Sequence, residues 1–270
     1  MTKWSDQVRR QWWRGALAGV VALATCDRGQ AEETEAGATT NVFAARALQH
    51  YEAAQARFER EPTSPEAAWR LGRAAFEWAE FATNHTQRAA LAQQGIAACR
   101  QALGTDEALA PAHHYLALNL GQLARTKTIG ALSLVRQMER HFKRSIELDP
   151  KFHFAAAERS LGLLYQDAPG WPASIGSQSK ARLHLERAAA LAPDYPENQL
   201  CLLEALVKWG EEAQARERAR GLPALLERAR QTFAGDDWAD DWADWDARWA
   251  RLRNRLAVPD ASADSAAGAP

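Results

Sequence analysis

Gln137–Pro150, QMERHFKRSIELDP, aligns without a gap on Lys180–Pro193, KARLHLERAAALAP, at an offset of 43 residues. Within this alignment His141 falls on His184, Arg144 on Arg187, Leu148 on Leu191 and Pro150 on Pro193. The same offset carries Leu118 onto Leu161, and one period earlier Gly95, Cys99 and Ala102 onto Met138, Phe142 and Ser145. A fixed period of this size marks units that bury one apolar face only against the next unit, as stacked helical hairpins do. Apolar residues inside each copy follow helical spacing, and no segment alternates apolar and polar residues long enough for a strand, so an all-α chain is expected.

The copies share further positions. Leu161-Gly162 with Tyr165 is followed by Ala181, Leu185, Ala188 and Pro193. Leu71-Gly72 is followed by Gly95, Cys99 and Ala102, and Tyr115 with Leu118 by Met138, Phe142, Ser145 and Pro150. A looser copy holds Leu202, Leu206, Gly210 and Ala215. The pattern resembles tetratricopeptide repeats, and the resemblance implies about four helix pairs whose first helices line a concave surface. Small residues such as Gly162, Ala181 and Ala188 let two helices approach while Leu185 or Phe142 fills the groove between pairs. Proline ends the second helix because it has no N–H to extend the ladder. The period exceeds the roughly 34 residues of the usual repeat, so longer loops are expected at Arg125–Gly130 and Asp167–Ser179.

Met1–Arg14 carries Lys3, Arg9, Arg10 and Arg14 against Asp6 and precedes the apolar run ALAGVVALAT, Ala16–Thr25. That is a charged segment followed by a short apolar one, the plan of an export signal over 1–25. Ten residues span about 15 Å as a helix, half of a bilayer's hydrocarbon core. Leu23-Ala24-Thr25-Cys26 resembles a bacterial lipobox, in which the cysteine becomes the lipid attachment, although Thr25 stands where Gly, Ala or Ser is usual. Arg9-Arg10-Gln11-Trp12-Trp13 also resembles a twin-arginine export signal. A periplasmic, membrane-anchored lipoprotein is therefore expected. Residues 26–40, small and polar, read as a flexible tether, and 257–270 as a disordered tail.

The whole chain has 33 basic and 34 acidic side chains; cleavage before Cys26 leaves 29 and 33. Nothing in that balance suits a phosphate backbone, so nucleic acid is not an expected partner. Cys99 and Cys201 fall in apolar helical patterns and are expected as buried free thiols.

Two helices flank the repeats within a helical domain of 41–256. In the first, Phe43, Ala47, Tyr51, Ala54 and Phe58 share a face, and Ser64-Pro65 then caps and opens the next helix. In the last, Trp238, Trp242, Trp245 and Trp249 follow one another at helical intervals and Leu252 continues the row. Asp236, Asp237, Asp240 and Asp241 at its start and Arg248, Arg251, Arg253 and Arg255 at its end suit the helix dipole. A helix that caps the exposed end of the array is expected, with oligomer contact or membrane contact as the alternatives.

The stretch LGLLYQDAPGWPASIGSQSKARLHLERAAALAPDYPENQL, with the lipobox-like signal, resembles the T component associated with tripartite ATP-independent periplasmic (TRAP) transporters, over about Ala112–Gly210. The resemblance implies a lipid-anchored periplasmic accessory with a cleft near the loops and a tendency to form homo-oligomers. Its partner would be a periplasmic solute-binding protein or an apolar anionic ligand. A general tetratricopeptide adaptor for envelope assembly is the alternative.

Catalysis, cofactors and metals are not expected. The chain has no GxSxG, phosphate-cradling or HExxH element, and adjacent His113 and His114 diverge by about 100° on a helix. Counting from the leucine anchors places Trp69, Arg73, His113, Leu116, Leu120, Arg159, Leu163, Leu200 and Glu204 on the concave surface. Asn119, Arg159, Tyr165 and Trp171 form the candidate site there, an apolar cleft with one anion-binding group.

Overall fold

The computed structural model describes residues 32–127 and 129–257. The expected signal, Cys26, the start of the tether and residues 258–270 lie outside the described residues. Eleven α-helices are described: α1 (Glu32–Arg60), α2 (Pro65–Glu80), α3 (His85–Thr105), α4 (Ala110–Ala124), α5 (Ala131–Leu148), α6 (Phe152–Asp167), α7 (Gln178–Leu191), α8 (Pro196–Lys208), α9 (Glu212–Ala219), α10 (Leu222–Thr232) and α11 (Ala239–Leu256). The only β-type pairing among the described residues is one bridge between Gly170 and Gly176. Helix α1 begins at Glu32, so its backbone is helical where sequence suggested part of a tether.

The helices start where local chemistry dictates. Ser64 accepts a hydrogen bond from the Ala67 N–H at 3.2 Å ahead of Pro65, and Asn84 accepts one from Gln87 at 2.9 Å. Each satisfies a backbone donor that the first turn leaves without a partner. Ser177 repeats the device at α7, accepting from Lys180 at 3.4 Å.

Four hairpins follow: α2–α3, α4–α5, α6–α7 and α8–α9. Each second helix packs on the first helix of the next pair, and successive first helices touch one another more than successive second helices do, α2 and α4 most of all. The stack therefore curves with α2, α4, α6 and α8 inside. Small residues set the approach as their positions predict. A Cβ on Gly72 would lie 2.2 Å from Cys99 Sγ, and one on Gly162 would lie 2.7 Å from Leu185 Cγ. Cys99 and Cys201 are free and buried, and burial pushes the Cys99 thiol well above its ordinary range.

One apolar cluster joins the two central pairs through Phe142, Leu161, Leu164 and Tyr165. A second holds the carboxyl-terminal third around Leu202, Leu206, Leu226 and Trp245. Trp245 is fully buried, and Trp238, Trp242 and Trp249 pack against the same cluster, so α11 covers the last hairpin. Arg248 does more than suit the dipole at the basic end of that helix. It lies three residues from Trp245, turned into the core at 1% exposure, because α8 supplies carboxylates to receive it.

Candidate functional site: the inner face of the array

The inner face is closed at its base. Leu116, Leu120 and Leu200 are buried, while Trp69, Arg73, Leu163 and Glu204 are partly exposed. Curvature brings α1 to the turn that precedes α11. Arg46 on α1 donates to the Asp236 carbonyl oxygen at 3.1 Å and lies 3.7 Å from the Asp240 carboxylate at the start of α11. Burial pushes Asp240 up to about 6, and Arg46 pulls in the opposite direction.

Arg159 on α6 is 2% exposed. Its Nη1 donates to Asn198 Oδ1 at 2.6 Å and to the Phe154 carbonyl oxygen at 3.4 Å, and its guanidinium lies 5.5 Å from the Tyr195 ring centre. Among the described residues it forms no ion pair, so a buried cation is held by neutral acceptors alone. Beside it the backbone is strained. His153, Phe154 and Ala155 have φ of 49°, 59° and 57°, a left-handed turn without glycine. Such conformations cost of order 1–3 kcal/mol each and persist only where surroundings fix them. Here Asn198 Nδ2 donates to the Phe154 carbonyl at 3.0 Å, and the Phe154 ring stacks on Tyr195 at 4.5 Å and meets Phe233 edge-on.

The other three candidate residues do not converge on Arg159. Asn119 is fully buried between repeats, where its Nδ2 donates at 2.8 Å to the carbonyl oxygens of Gly72 and Tyr115. Tyr165 lies six residues from Arg159 along α6 and points elsewhere. Its hydroxyl donates to Glu139 at 2.6 Å and its ring stacks on His184; burial and the Glu139 carboxylate raise its pKa. Trp171 is 89% exposed at a loop tip, lining neither cleft nor core. Sequence counting placed these four by motif position, but one helical step rotates a side chain by about 100°, and the structure does not bring them together.

Sequence reading missed two polar clusters. In one, Arg248 reaches Glu197 at 2.7 Å, Glu204 at 2.9 Å and Asp244 at 3.3 Å, while Trp245 Nε1 and Cys201 Sγ donate to Glu197. In the other, His113 and His141 meet through their Nδ1 atoms at 2.9 Å. His113 Nε2 lies 3.1 Å from the Glu107 carbonyl oxygen, which can only accept, so His113 Nδ1 is the acceptor and His141 Nδ1 the donor. Burial, His113 and the cations Arg140 and Arg100 hold His141 down to about 4. The recurrence of His141 at His184 was the one signal of such pairing, since His184 likewise pairs across to Glu158. No group of three or more metal-ligating side chains occurs among the described residues.

A family model described as regulator of microtubule dynamics protein 1-3 matches residues 26–157, just under half of the chain. No curated protein sequence matches it. Among solved structures, TTC0263, a thermophilic TPR protein of Thermus thermophilus, superposes with a TM-score of 0.56 at 19% identity, covering 77% of this chain and 93% of that one. PilF of Pseudomonas aeruginosa gives 0.48 at 14% identity with 94% of each chain covered, and MamA gives 0.46 at 15% identity with 77% and 98% covered. The inner first helices, the small residues at their crossings and the likeness to TTC0263 agree: this chain folds as an array of tetratricopeptide-type helical hairpins.

Proposed function

We propose that the protein is a helical-repeat adaptor whose inner face receives a protein segment, or an apolar ligand, bearing an anionic group that Arg159 neutralises. The observation that carries the reading is the buried guanidinium of Arg159 with only neutral acceptors. A buried charge is costly unless an opposite one meets it, and the left-handed turn at His153–Ala155 keeps that arginine in place. Partly exposed Trp69, stacked on Tyr115 at 5.9 Å, supplies aromatic surface on the same face, beside Arg73, which is paired with Glu77 at 2.7 Å.

The finer reading places this adaptor in the periplasm, held through Cys26 by lipid, as an accessory of a TRAP-type solute-binding protein. Its support is the lipobox-like Leu23–Cys26 and the loop DAPGWPASIGSQS. The match to the model described as regulator of microtubule dynamics protein 1-3 over residues 26–157 favours neither this form nor the general adaptor. Affinity capture with the full chain and with Arg159→Gln tests the core claim. The variant should lose at least tenfold in affinity for the captured partner or acidic ligand at unchanged circular dichroism. Equal capture overturns the reading. Recovery of a periplasmic solute-binding protein would select the TRAP form, and recovery of envelope-assembly proteins the general one.

A further inference from the structure

We propose that one rim of the array, the one carrying Ile129 and Trp171, lies against an anionic lipid bilayer. The carboxyl ends of the first helices gather on this rim. Arg125, just past α4, lies 3.3 Å from Glu80 at the end of α2, and Lys208 at the end of α8 lies 2.5 Å from Asp167 at the end of α6. The loops within the second and third hairpins therefore project from the same side. Their tips are Ile129, 90% exposed, and Trp171, 89% exposed, the two most exposed large apolar side chains among the described residues.

Trp171 is presented rigidly. The Gly176 N–H donates to the Pro169 carbonyl at 2.8 Å and the Ser177 N–H to the Tyr165 carbonyl at 2.9 Å, which ties the loop shut at its base. Any side chain at Gly176 would collide with the Ala168 carbonyl oxygen. A tied loop that holds a tryptophan out in solvent needs a reason beyond core packing.

Charge separates the two rims. On the Trp171 side the exposed charges of the loops and adjoining turns are Lys127, Lys180 and Lys208. The nearby carboxylates Asp167 and Glu211 are engaged by Lys208 and Arg182. On the opposite rim the loops expose Glu61, Asp106, Glu107, Asp149 and Asp194 against Lys151 and Arg220; Glu61 and Asp194 are met by Arg57 and Arg228, which leaves Asp106, Glu107 and Asp149 in excess. An anionic surface attracts the first rim and repels the second, so the array would settle in one orientation.

The direction of α1 agrees. It runs alongside α3, with Tyr51 bonded to Gln94 at 2.5 Å and the Pro62 carbonyl to Gln101 at 2.6 Å. Helix α3 starts at the Trp171 rim, and α1, at 29 residues against 21, continues past it. The amino-terminal end of α1 thus lies on the side where the bilayer would be. No helix among the described residues is long and apolar enough to cross a membrane. Single apolar residues on separate loop tips, flanked by lysines, suit insertion into a headgroup layer; a protein partner is better served by one contiguous patch.

The test uses the full chain with Cys26→Ser, which removes the lipid attachment, and vesicles of phosphatidylcholine with or without phosphatidylglycerol. An environment-sensitive fluorophore is placed on Trp171→Cys, on Ile129→Cys and, at the opposite rim, on Glu107→Cys; Cys99 and Cys201 are buried. Vesicles containing phosphatidylglycerol should brighten and blue-shift the first two labels and leave the third unchanged. Combining Lys127→Glu, Lys180→Glu and Lys208→Glu should weaken partitioning at least tenfold at unchanged circular dichroism. An equal response at Glu107→Cys overturns the proposal. Silence at both loops while the chain is vesicle-bound overturns it too, since the amino-terminal apolar run would then hold the chain and the rim would face a protein.

Discussion

The Nδ2 of Asn119 donates a 2.8 Å hydrogen bond to the carbonyl oxygen of Gly72, tying the first helix of one repeat to the backbone of the repeat before it. Asn119 stands where the next copy has Gly162, 43 residues on. The space its side chain needs comes from Gly95, whose missing Cβ would lie 2.2 Å from Asn119 Oδ1.

Gly95→Ala should therefore destabilise the protein by about 1–3 kcal/mol through overpacking, and Asn119→Ala by about 2 kcal/mol through a lost buried hydrogen bond and a void. In the double variant the clash disappears. Denaturant titration should show it less destabilised than the sum of the single changes, and strict additivity would refute the shared-space account.

Arg248, itself buried, meets buried Glu197 and Asp244 and partly exposed Glu204. Arg248→Met leaves those carboxylates without their cation and should cost about 3–5 kcal/mol. The loss should show as a lower thermal midpoint and as faster hydrogen exchange in α11. Loss of less than about 1 kcal/mol would mean that the tryptophan row alone holds the helix.

Folding holds His141 at about 4 against an ordinary value of 6.5, with His113 lowered beside it. The unfolded chain takes up these protons first as pH falls, so stability is full above about 6.5 and declines toward pH 4. Urea titrations at pH 7.5 and 5 should show this loss in the parent, and His141→Gln should flatten it. An unchanged slope would assign the acid sensitivity to other groups.

The contact of Arg46 with Asp240 links positions 194 residues apart. Burial raises Asp240 to about 6 from an ordinary 3.8, so closure is most favoured at low pH and weakens as pH rises through 6. Arg46→Gln removes the opposing attraction. Small-angle scattering should then show a larger radius of gyration at pH 8 than at pH 5, with a smaller change in the parent. Matching curves at both pH values would refute a latch.

Repeat order and helix pairing were legible because they depend on contacts between elements adjacent in sequence, and the capping row because its spacing alone marks one apolar face. Gly72 meets Cys99 and Gly162 meets Leu185, each Leu-Gly pair against the second helix of its own hairpin, and Ser64-Pro65 opens α2 through its own backbone chemistry. Site geometry was not legible in the same way. Motif position grouped Asn119, Tyr165 and Trp171 with Arg159, whereas side-chain direction and loop closure set them apart.

By itself the sequence determined an all-helical stack of hairpins, because a repeated apolar stripe can be covered only by its neighbour. Tertiary structure alone decided that Arg248 turns inward, that His113 finds His141 and that Arg46 reaches Asp240. Those outcomes depend on how small crossing angles accumulate along the stack, and a polar side chain carries no record of the partner that curvature will bring to it.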